Sequence, residues 1–152
     1  MWNEEDENDG VDDDFDPEKE RRRVEALPIF QKAEEISELT QRIVDSIEKD
    51  DVKLIHGNFM LEDAMMITVK IVGAEAVDDF IIKMENAVLI KIHARSLQTK
   101  TASLLLQGVM PAEYLHLLRK EIDSFRSLFL AWIKTFHQSP KEGDGWGLFV
   151  EE

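Results

Sequence analysis

The chain has 152 residues, of which 43% are hydrophobic and 33% are charged, with a formal net charge of -14 and no cysteine. This length suits one domain with a buried core, and the lack of cysteine excludes disulfides, thiolate nucleophiles and cysteine-ligated zinc. A membrane-spanning helix needs roughly 18 or more consecutive apolar residues, and no stretch of that kind occurs. Because the N-terminus is acidic, it does not resemble a secretory signal, and we expect a cytoplasmic protein.

Most of the negative charge lies at the N-terminal end. Residues 1–20 hold eleven acids against one base, Lys19, whereas the other 132 residues carry 21 acids and 17 bases. Blocks of like charge with few apolar residues do not collapse into a core. We therefore predict an acidic, mostly disordered arm over 1–26, and we expect residues 16–27 to form at most a short separate helix.

Two apolar stripes with helical spacing predict the first and last helices of a core. Steps of three and four residues keep side chains on one side of a helix. The first stripe comprises Ile29, Ala33, Ile36, Thr40, Ile43 and Ile47. The second, bulkier stripe comprises Leu118, Ile122, Phe125, Phe129, Trp132 and Phe136.

Two further helices are predicted between the stripes. One covers about 58–72, with Asn58 as its cap and Gly73 as its stop. The other begins with Asp78 as its cap and ends at Gly108. We expect Pro111 to be the first residue of the last helix, because its missing N–H is not needed there.

These elements predict an all-α fold. Sustained two-residue alternation is missing, so we expect no strand. Four helices joined by short connections predict an up-down-up-down four-helix bundle over 27–138. Residues 139–152 interleave glycines with Trp146, Leu148 and Phe149. This peptide is too short to fold alone, so it either lies along a groove of the bundle or docks to another protein.

The sequence contains little that indicates catalysis or metal binding. A carboxylate-bridged di-metal centre needs a Glu-x-x-His motif on two helices, and Glu113 to His116 is the one such motif. A nucleophile elbow and a glycine-rich phosphate loop are also missing. We therefore predict no catalytic residues, no metal and no cofactor.

The segment 84–97 is apolar on nearly every side of a helix, yet several polar side chains interrupt it. Polar groups on such a helix must be paired, and two interpretations follow. In one, Lys91 or Arg95 forms internal salt bridges with Glu62, Asp63 or Glu75. In the other, the segment contacts a ligand or, as we favour, another subunit. The residues of this predicted polar cluster or interface are Glu62, Glu75, Glu85, Asn86, Lys91, His93 and Arg95.

A local positive charge lies on the same helix. Between Asn86 and Ala112 the chain has Lys91, Arg95 and Lys100 but no acid. Such a face could receive the chain's own acidic arm or an RNA backbone. Three cations without exposed aromatic residues form a weak nucleic-acid footprint, so we do not favour nucleic acid as a partner.

Three segments resemble the small bacterial four-helix-bundle proteins encoded in 23S rRNA intervening sequences. They are Ile29-Phe30-Gln31-Lys32-Ala33, the long helix from Phe80 to Gly108, and Leu117-Leu118-x-x-Glu121 to Ile133. The resemblance covers about 110 residues, from Leu27 to Phe136. Where that family has Asn-Ile-Ala-Glu-Gly, this chain has Lys70-Ile71-Val72-Gly73-Ala74-Glu75. The difference points to a separate bacterial family of the same architecture.

The resemblance implies an all-helical subunit that forms rings, with pentamers known in the family, and it carries no catalytic residues. A relative, the accessory variability determinant of diversity-generating retroelements, binds reverse transcriptase and RNA, but the negative charge here argues against that role. We expect a non-enzymatic interaction or scaffold protein that self-associates and binds an unidentified protein partner. The alternative is an RNA- or nucleoprotein-associated accessory factor whose basic face is gated by the acidic arm.

Overall fold

A computed structural model describes residues 14–152, and all regular elements within that range are helical. The α-helices are α1 Pro17–Glu25, α2 Pro28–Asp45, α3 Asp50–Val52, α4 Asn58–Glu75, α5 Phe80–Gln107 and α6 Ala112–Lys134. A π-helical turn, Lys53–Gly57, joins α3 to α4, and a 3-10 turn, Thr135–Gln138, follows α6. The predicted all-α class is confirmed.

The four long helices enclose the core. Helix α2 packs against α4, α4 against α5, α5 against α6, and α6 returns to α2. Both predicted stripes face inward, because their residues are buried except for Phe129, which is half-buried. The Oγ1 of Thr40, the polar member of the first stripe, donates to the Ile36 carbonyl oxygen at 2.7 Å, so this hydroxyl is satisfied in the core.

Helix α1 lies within residues 16–27, where the sequence predicted at most a short separate helix. Asp16 caps this helix, since its Oδ1 accepts from the backbone N–H of Glu18 at 3.0 Å. Val24 is buried, and Arg21 and Arg23 form ion pairs with glutamates one turn away. Residues 17–25 are helical because their charges are mixed in sign and one apolar side chain, Val24, is buried, so this part of the 1–26 arm is ordered. Residues 1–13 of the predicted arm lie outside the described residues.

Helix α4 begins at Asn58, within the predicted range of 58–72, but its predicted cap and stop are wrong. Gly57 and Asn58 already have helical backbone angles, so the chain enters α4 from the π-helical turn without a capping residue. The helix also runs through Gly73 to Glu75. A Cβ on Gly73 would lie 3.0 Å from Asn86 Oδ1, so the glycine permits a close approach of α5 rather than ending the helix.

The limits of α5 agree with the prediction to within one residue. Asp79, not Asp78, is the cap, and its Oδ1 accepts from the Ile82 N–H at 2.9 Å. Gly108 ends the helix with φ +61°, as expected for a left-handed C-terminal residue. Pro111 precedes α6 as its flanking residue instead of being its first residue.

In the described range, residues 14–152, no helix has the length and apolar character needed to cross a membrane.

An ion pair joins α2 to α6. Lys32 Nζ donates to Glu121 Oε2 at 2.7 Å and also contacts Glu35 on its own helix. These hydrogen bonds, that of Glu121 first, raise the pKa of Lys32 above its ordinary value. The charged lysine is therefore favoured more in the folded than in the unfolded protein.

We expect this lysine to make stability depend on alkaline pH. A pKa raised by folding contributes stability that is complete below the unfolded pKa and is lost as the pH rises through the folded pKa. The native protein should therefore lose more free energy of unfolding than Lys32→Met when the pH is raised past 10.5. Urea unfolding of both proteins at several alkaline pH values measures the difference, and parallel pH curves would contradict it.

The close contact between Gly57 and α2 yields a second prediction. A Cβ at Gly57 would lie 2.8 Å from Cγ1 of the buried Val44. A valine side chain has little rotamer freedom in a helix, so we expect Gly57→Ala to lower the free energy of unfolding by about 1–3 kcal/mol. Adding Val44→Ala should remove the clash, so that the two substitutions together cost less than the sum of their separate costs. Denaturant unfolding of the four proteins tests this coupling, and additive costs would contradict it.

Candidate functional site

A buried carboxylate joins α4 to α5. Asp63 is 5% exposed; its Oδ1 lies 2.9 Å from His93 Nδ1, and its Oδ2 accepts from Lys100 Nζ at 2.6 Å. Lys100 Nζ also donates to Ser96 Oγ at 2.5 Å and lies 5.6 Å from the centre of the Phe59 ring. Both oxygens of the buried carboxylate are therefore satisfied, as burial of a charge requires. These five residues are the Asp63 cluster.

Helical spacing explains why the cluster forms. His93 and Lys100 are seven residues apart, which places them on one side of α5, two turns from each other. Gly73 meets Asn86, and Asp63, farther from the turn between the helices, meets residues farther along α5. The two helices are therefore antiparallel, and Asp63 lies opposite both His93 and Lys100.

The residue types of the Asp63 cluster also occur in hydrolases, but the hydrogen bonds here differ from a catalytic arrangement. A serine nucleophile needs a neighbouring base that accepts its proton. Ser96 Oγ instead accepts a hydrogen bond from Lys100 Nζ, and the same ammonium donates to Asp63. The geometry therefore suits a structural contact that holds α4 against α5.

A second network holds α1 on the end of the core. Glu75 Oε1 accepts from Trp132 Nε1 at 2.7 Å, and its Oε2 accepts from Arg23 Nη1 at 2.9 Å. Hydrogen bonds to Glu20 and then Glu75 raise the pKa of Arg23. Glu75, predicted to serve an interface or to pair with α5, therefore links α4 to α1 and α6.

The prediction that Lys91 or Arg95 pairs with Glu62, Asp63 or Glu75 is wrong: within residues 14–152, neither cation forms a salt bridge with these acids. Asp63 pairs with His93 and Lys100, and Glu75 pairs with Arg23. Lys91 and Arg95 lie on the side of α5 that faces α6, away from α4. The sequence could not show which side of this helix each neighbour would occupy.

The remaining members of the predicted polar cluster do not meet. Glu62 and Glu85 are exposed, and Asn86 is half-buried, with its Nδ2 donating to the Ile82 carbonyl oxygen at 2.9 Å. His93 alone of the predicted set belongs to the Asp63 cluster. The prediction named Asp63 as a salt-bridge partner and Lys100 as a surface cation. The seven-residue spacing of His93 and Lys100 was the signal that could have paired them with Asp63.

Exposed apolar side chains cover the outer surfaces of α4 and α5. They lie one helical turn apart on each helix and are each between 38% and 54% exposed. We call this set the α4–α5 face; its members are Met65, Val69, Val72, Leu89 and Ile92. Since the core-facing side of each helix is already packed, these side chains form a second apolar side.

A groove of about 590 Å³ runs between α5 and α6. Apolar side chains form most of its lining, and three cations, Lys91, Arg95 and Arg126, line it as well. Lys100 instead turns to Asp63 on the α4 side. The predicted basic face of Lys91, Arg95 and Lys100 is therefore divided between two sides of α5. We call the cavity the α5–α6 groove.

The C-terminal peptide lies partly against the helical core and partly in solvent. Pro140 accepts a backbone hydrogen bond from Phe80 at 3.1 Å, which fixes the start of the peptide to α5. Phe149 and Val150 are half-buried against the core, whereas Trp146 is 86% exposed and Leu148 is 74% exposed. Phe149 therefore packs on its own chain, and Trp146 and Leu148 remain accessible.

Metal-ligand types do not gather in the described part of the chain. Residues 14–152 contain no group of three or more His, Asp or Glu side chains placed to hold a metal ion. Glu113 and His116, the Glu-x-x-His motif, are both exposed on α6.

Comparison with family models, curated proteins and solved structures gives no match to this chain. The similarity to the intervening-sequence proteins therefore stays a prediction.

The Asp63 cluster yields a prediction about stability. Replacing both hydrogen-bond partners of Asp63, as in His93→Leu with Lys100→Met, leaves a buried carboxylate without a partner. We expect this pair of substitutions to lower the free energy of unfolding by about 3–5 kcal/mol. Adding Asp63→Leu should recover part of the loss, because it removes the unpaired charge.

Urea unfolding of the native, double and triple variants measures these values. If the triple variant is no more stable than the double variant, burial of the unpaired charge is not the cause of the loss.

Proposed function

We propose that this chain is a non-enzymatic interaction protein of the cytoplasm that self-associates, with the α4–α5 face of one copy packed against the same face of another. The rows of exposed apolar side chains on two neighbouring helices support this proposal most directly. Single exposed apolar residues are ordinary on protein surfaces. Clustered ones are typical of interaction sites.

The composition of the α4–α5 face suits a pairing of identical surfaces. Its apolar residues are flanked by Glu62, one turn before Met65, and by Glu85, one turn before Leu89. An apolar centre with a charged margin is the usual anatomy of a protein interface. A two-fold dimer uses the same patch on both subunits, so one face supplies both halves of the contact.

The architecture that we propose is an up-down-up-down four-helix bundle extended by α1. Its support is the closed cycle of α2, α4, α5 and α6, in which helices that follow each other along the chain are neighbours. Short connections between long neighbouring helices favour this topology. A bundle subunit with one unpaired apolar side is also consistent with the rings that the family resemblance implies.

The alternative function is an RNA- or nucleoprotein-associated accessory factor. Lys91, Arg95 and Arg126 around the α5–α6 groove favour it, because cations set close together attract a phosphate backbone. This basic patch lies on the opposite side of α5 from Lys100, so it is not the face that the sequence predicted.

A single charge in the α4–α5 face tests self-association. A glutamate at Val69 stays in water in the monomer but would be buried in the paired state, so we expect Val69→Glu to dissociate the assembly. Leu106→Glu is the matched control, because Leu106 is 90% exposed near the end of α5 and lies outside the face. Light scattering should give the native chain and the control a mass above the 17.6 kDa of one chain, and Val69→Glu a mass equal to it.

A native mass of 17.6 kDa at all concentrations would contradict self-association. The alternative makes its own prediction with the same proteins. RNA binding that weakens steeply with added salt and is unchanged by Val69→Glu would favour the accessory factor.

A further inference from the structure

The α5–α6 groove combines features that the proposed self-association does not use. It is an elongated apolar channel with cations beside it, on a protein whose net charge is strongly negative. We propose that the acidic N-terminal segment, residues 1–13 of the same chain, binds in the α5–α6 groove and covers it.

Charge complementarity is the first support for this occupant. Residues 1–13 contain seven acids, Glu4, Glu5, Asp6, Glu7, Asp9, Asp12 and Asp13, and no lysine or arginine. Lys91 and Arg95 on α5 face Arg126 on α6 across the groove. Opposite charges placed at this density guide association and select the partner.

A neighbouring carboxylate does not compete strongly. Asp123 lies 3.4 Å from Arg126 and 3.5 Å from Gln98, at the edge of the groove. Asp123 and Arg126 are both well exposed, and exposed ion pairs of this type contribute little. Arg126 can therefore leave Asp123 and pair with an acid of the N-terminal segment at a small cost in free energy.

The apolar part of the segment matches the floor of the groove. Trp2 precedes the acids Glu4 to Asp9, and Val11 follows them. The groove floor includes Ala87 and Ala94, whose small side chains leave room beside Phe125. A buried tryptophan removes about 150–250 Å² from water, and aromatic anchors carry much of the binding energy at interfaces. The segment thus supplies both an anchor and the counter-charges.

The position of α1 allows the segment to reach the groove. Arg23 holds α1 to Glu75, and Glu75 also binds Trp132, the residue before Ile133 at one end of the groove. An extended chain of 13 residues spans about 43–47 Å. The groove follows α5 from Met84 to Gln98, about 21 Å of helix. The segment is therefore long enough to cross the end of the core and enter the groove at its Ile133 end, one helical turn from Leu130.

Occupation of the α5–α6 groove by the segment would shield it from other ligands. An external partner that uses the groove must then be anionic and amphipathic as well, and must displace the segment. The α4–α5 face lies on the other side of α5, so this contact and self-association can be tested separately.

Because the chain has no cysteine, the introduced thiols have no native thiol to pair with in a disulfide experiment. In the full-length chain we combine Asn3→Cys with Leu130→Cys, which lines the groove on α6. The control combines Asn3→Cys with Ser124→Cys, an exposed position on the same helix that is not part of the groove lining. Oxidation in dilute protein is followed by mass spectrometry and by mobility without reductant.

We expect the groove pair to form its intramolecular disulfide at least about tenfold faster than the control pair, because docking raises the effective concentration of the thiols. The combined charge reversal Lys91→Glu, Arg95→Glu and Arg126→Glu should abolish this preference. Reversal of three exposed cations away from the groove, Arg42→Glu, Lys49→Glu and Lys120→Glu, should leave it in place. Salt near 1 M, where the screening length is about 3 Å, should weaken it.

Equal rates for the groove and control pairs would overturn the proposal. A groove preference that survives the reversal of Lys91, Arg95 and Arg126 would overturn it too, because charge complementarity would then not select the segment. Disulfides that form between chains, at a rate that rises with protein concentration, would assign the groove to the segment of a second copy and equally overturn it. Helical circular dichroism of each variant, compared with the native chain, identifies any variant that is unfolded, and the conservative triple Lys91→Gln, Arg95→Gln and Arg126→Gln then replaces it.

Discussion

The hydrogen bonds of Asp63 on α4 with His93 and Lys100 on α5 fix how α5 is rotated against α4. Both the α4–α5 face and the α5–α6 groove depend on this rotation. A buried carboxylate loses more than it gains unless both oxygens are paired, and here His93 and Lys100 supply the partners from two successive turns of α5. This requirement determines which side of α5 faces α4. With that side chosen, Lys91 and Arg95 turn toward α6, and Leu89 and Ile92 remain on the outside.

Helix α5 is therefore the element that connects the two proposals. One side packs into the core, one meets α4 through the Asp63 cluster, and a third borders the groove with α6. A helix that is apolar nearly all round normally lies at the centre of a larger protein or touches another chain. In this protein three of its sides are accounted for within the chain, and the apolar outer side is the one that we assign to a second copy.

Particular residues show how far the sequence can be interpreted. The two apolar stripes were predicted correctly, because the spacing of Ile29 through Ile47 leaves one consistent inward side. Gly108 was also predicted correctly, since a glycine after the last apolar turn with no continuing pattern is a strong stop signal. Gly73 was misassigned because a glycine that ends a helix and a glycine that admits a neighbouring helix look alike in sequence. The clue to its role is Asn86, which lies on the next helix.

The candidate site was harder to predict than the fold. Glu75 was expected near α5, but its partners Arg23 and Trp132 come from helices far away in the chain. The sequence also placed Lys91, Arg95 and Lys100 in one basic face, whereas Lys100 lies two and a half turns from Lys91 and on another side of the helix. Local spacing gives angles around one helix. It does not give the identity of the neighbour at each angle.

The sequence by itself determined the helical class, the inward stripes of α2 and α6, and the concentration of acids before the first helix, because these follow from local periodicity and from charge counting. The tertiary structure decided what surrounds α5. Its apolar residues point in every direction, so the helix has no single preferred inward side. Only the arrangement of α4 and α6, with Asp63 buried opposite His93 and Lys100, decides which residues are core, which line the groove and which remain exposed.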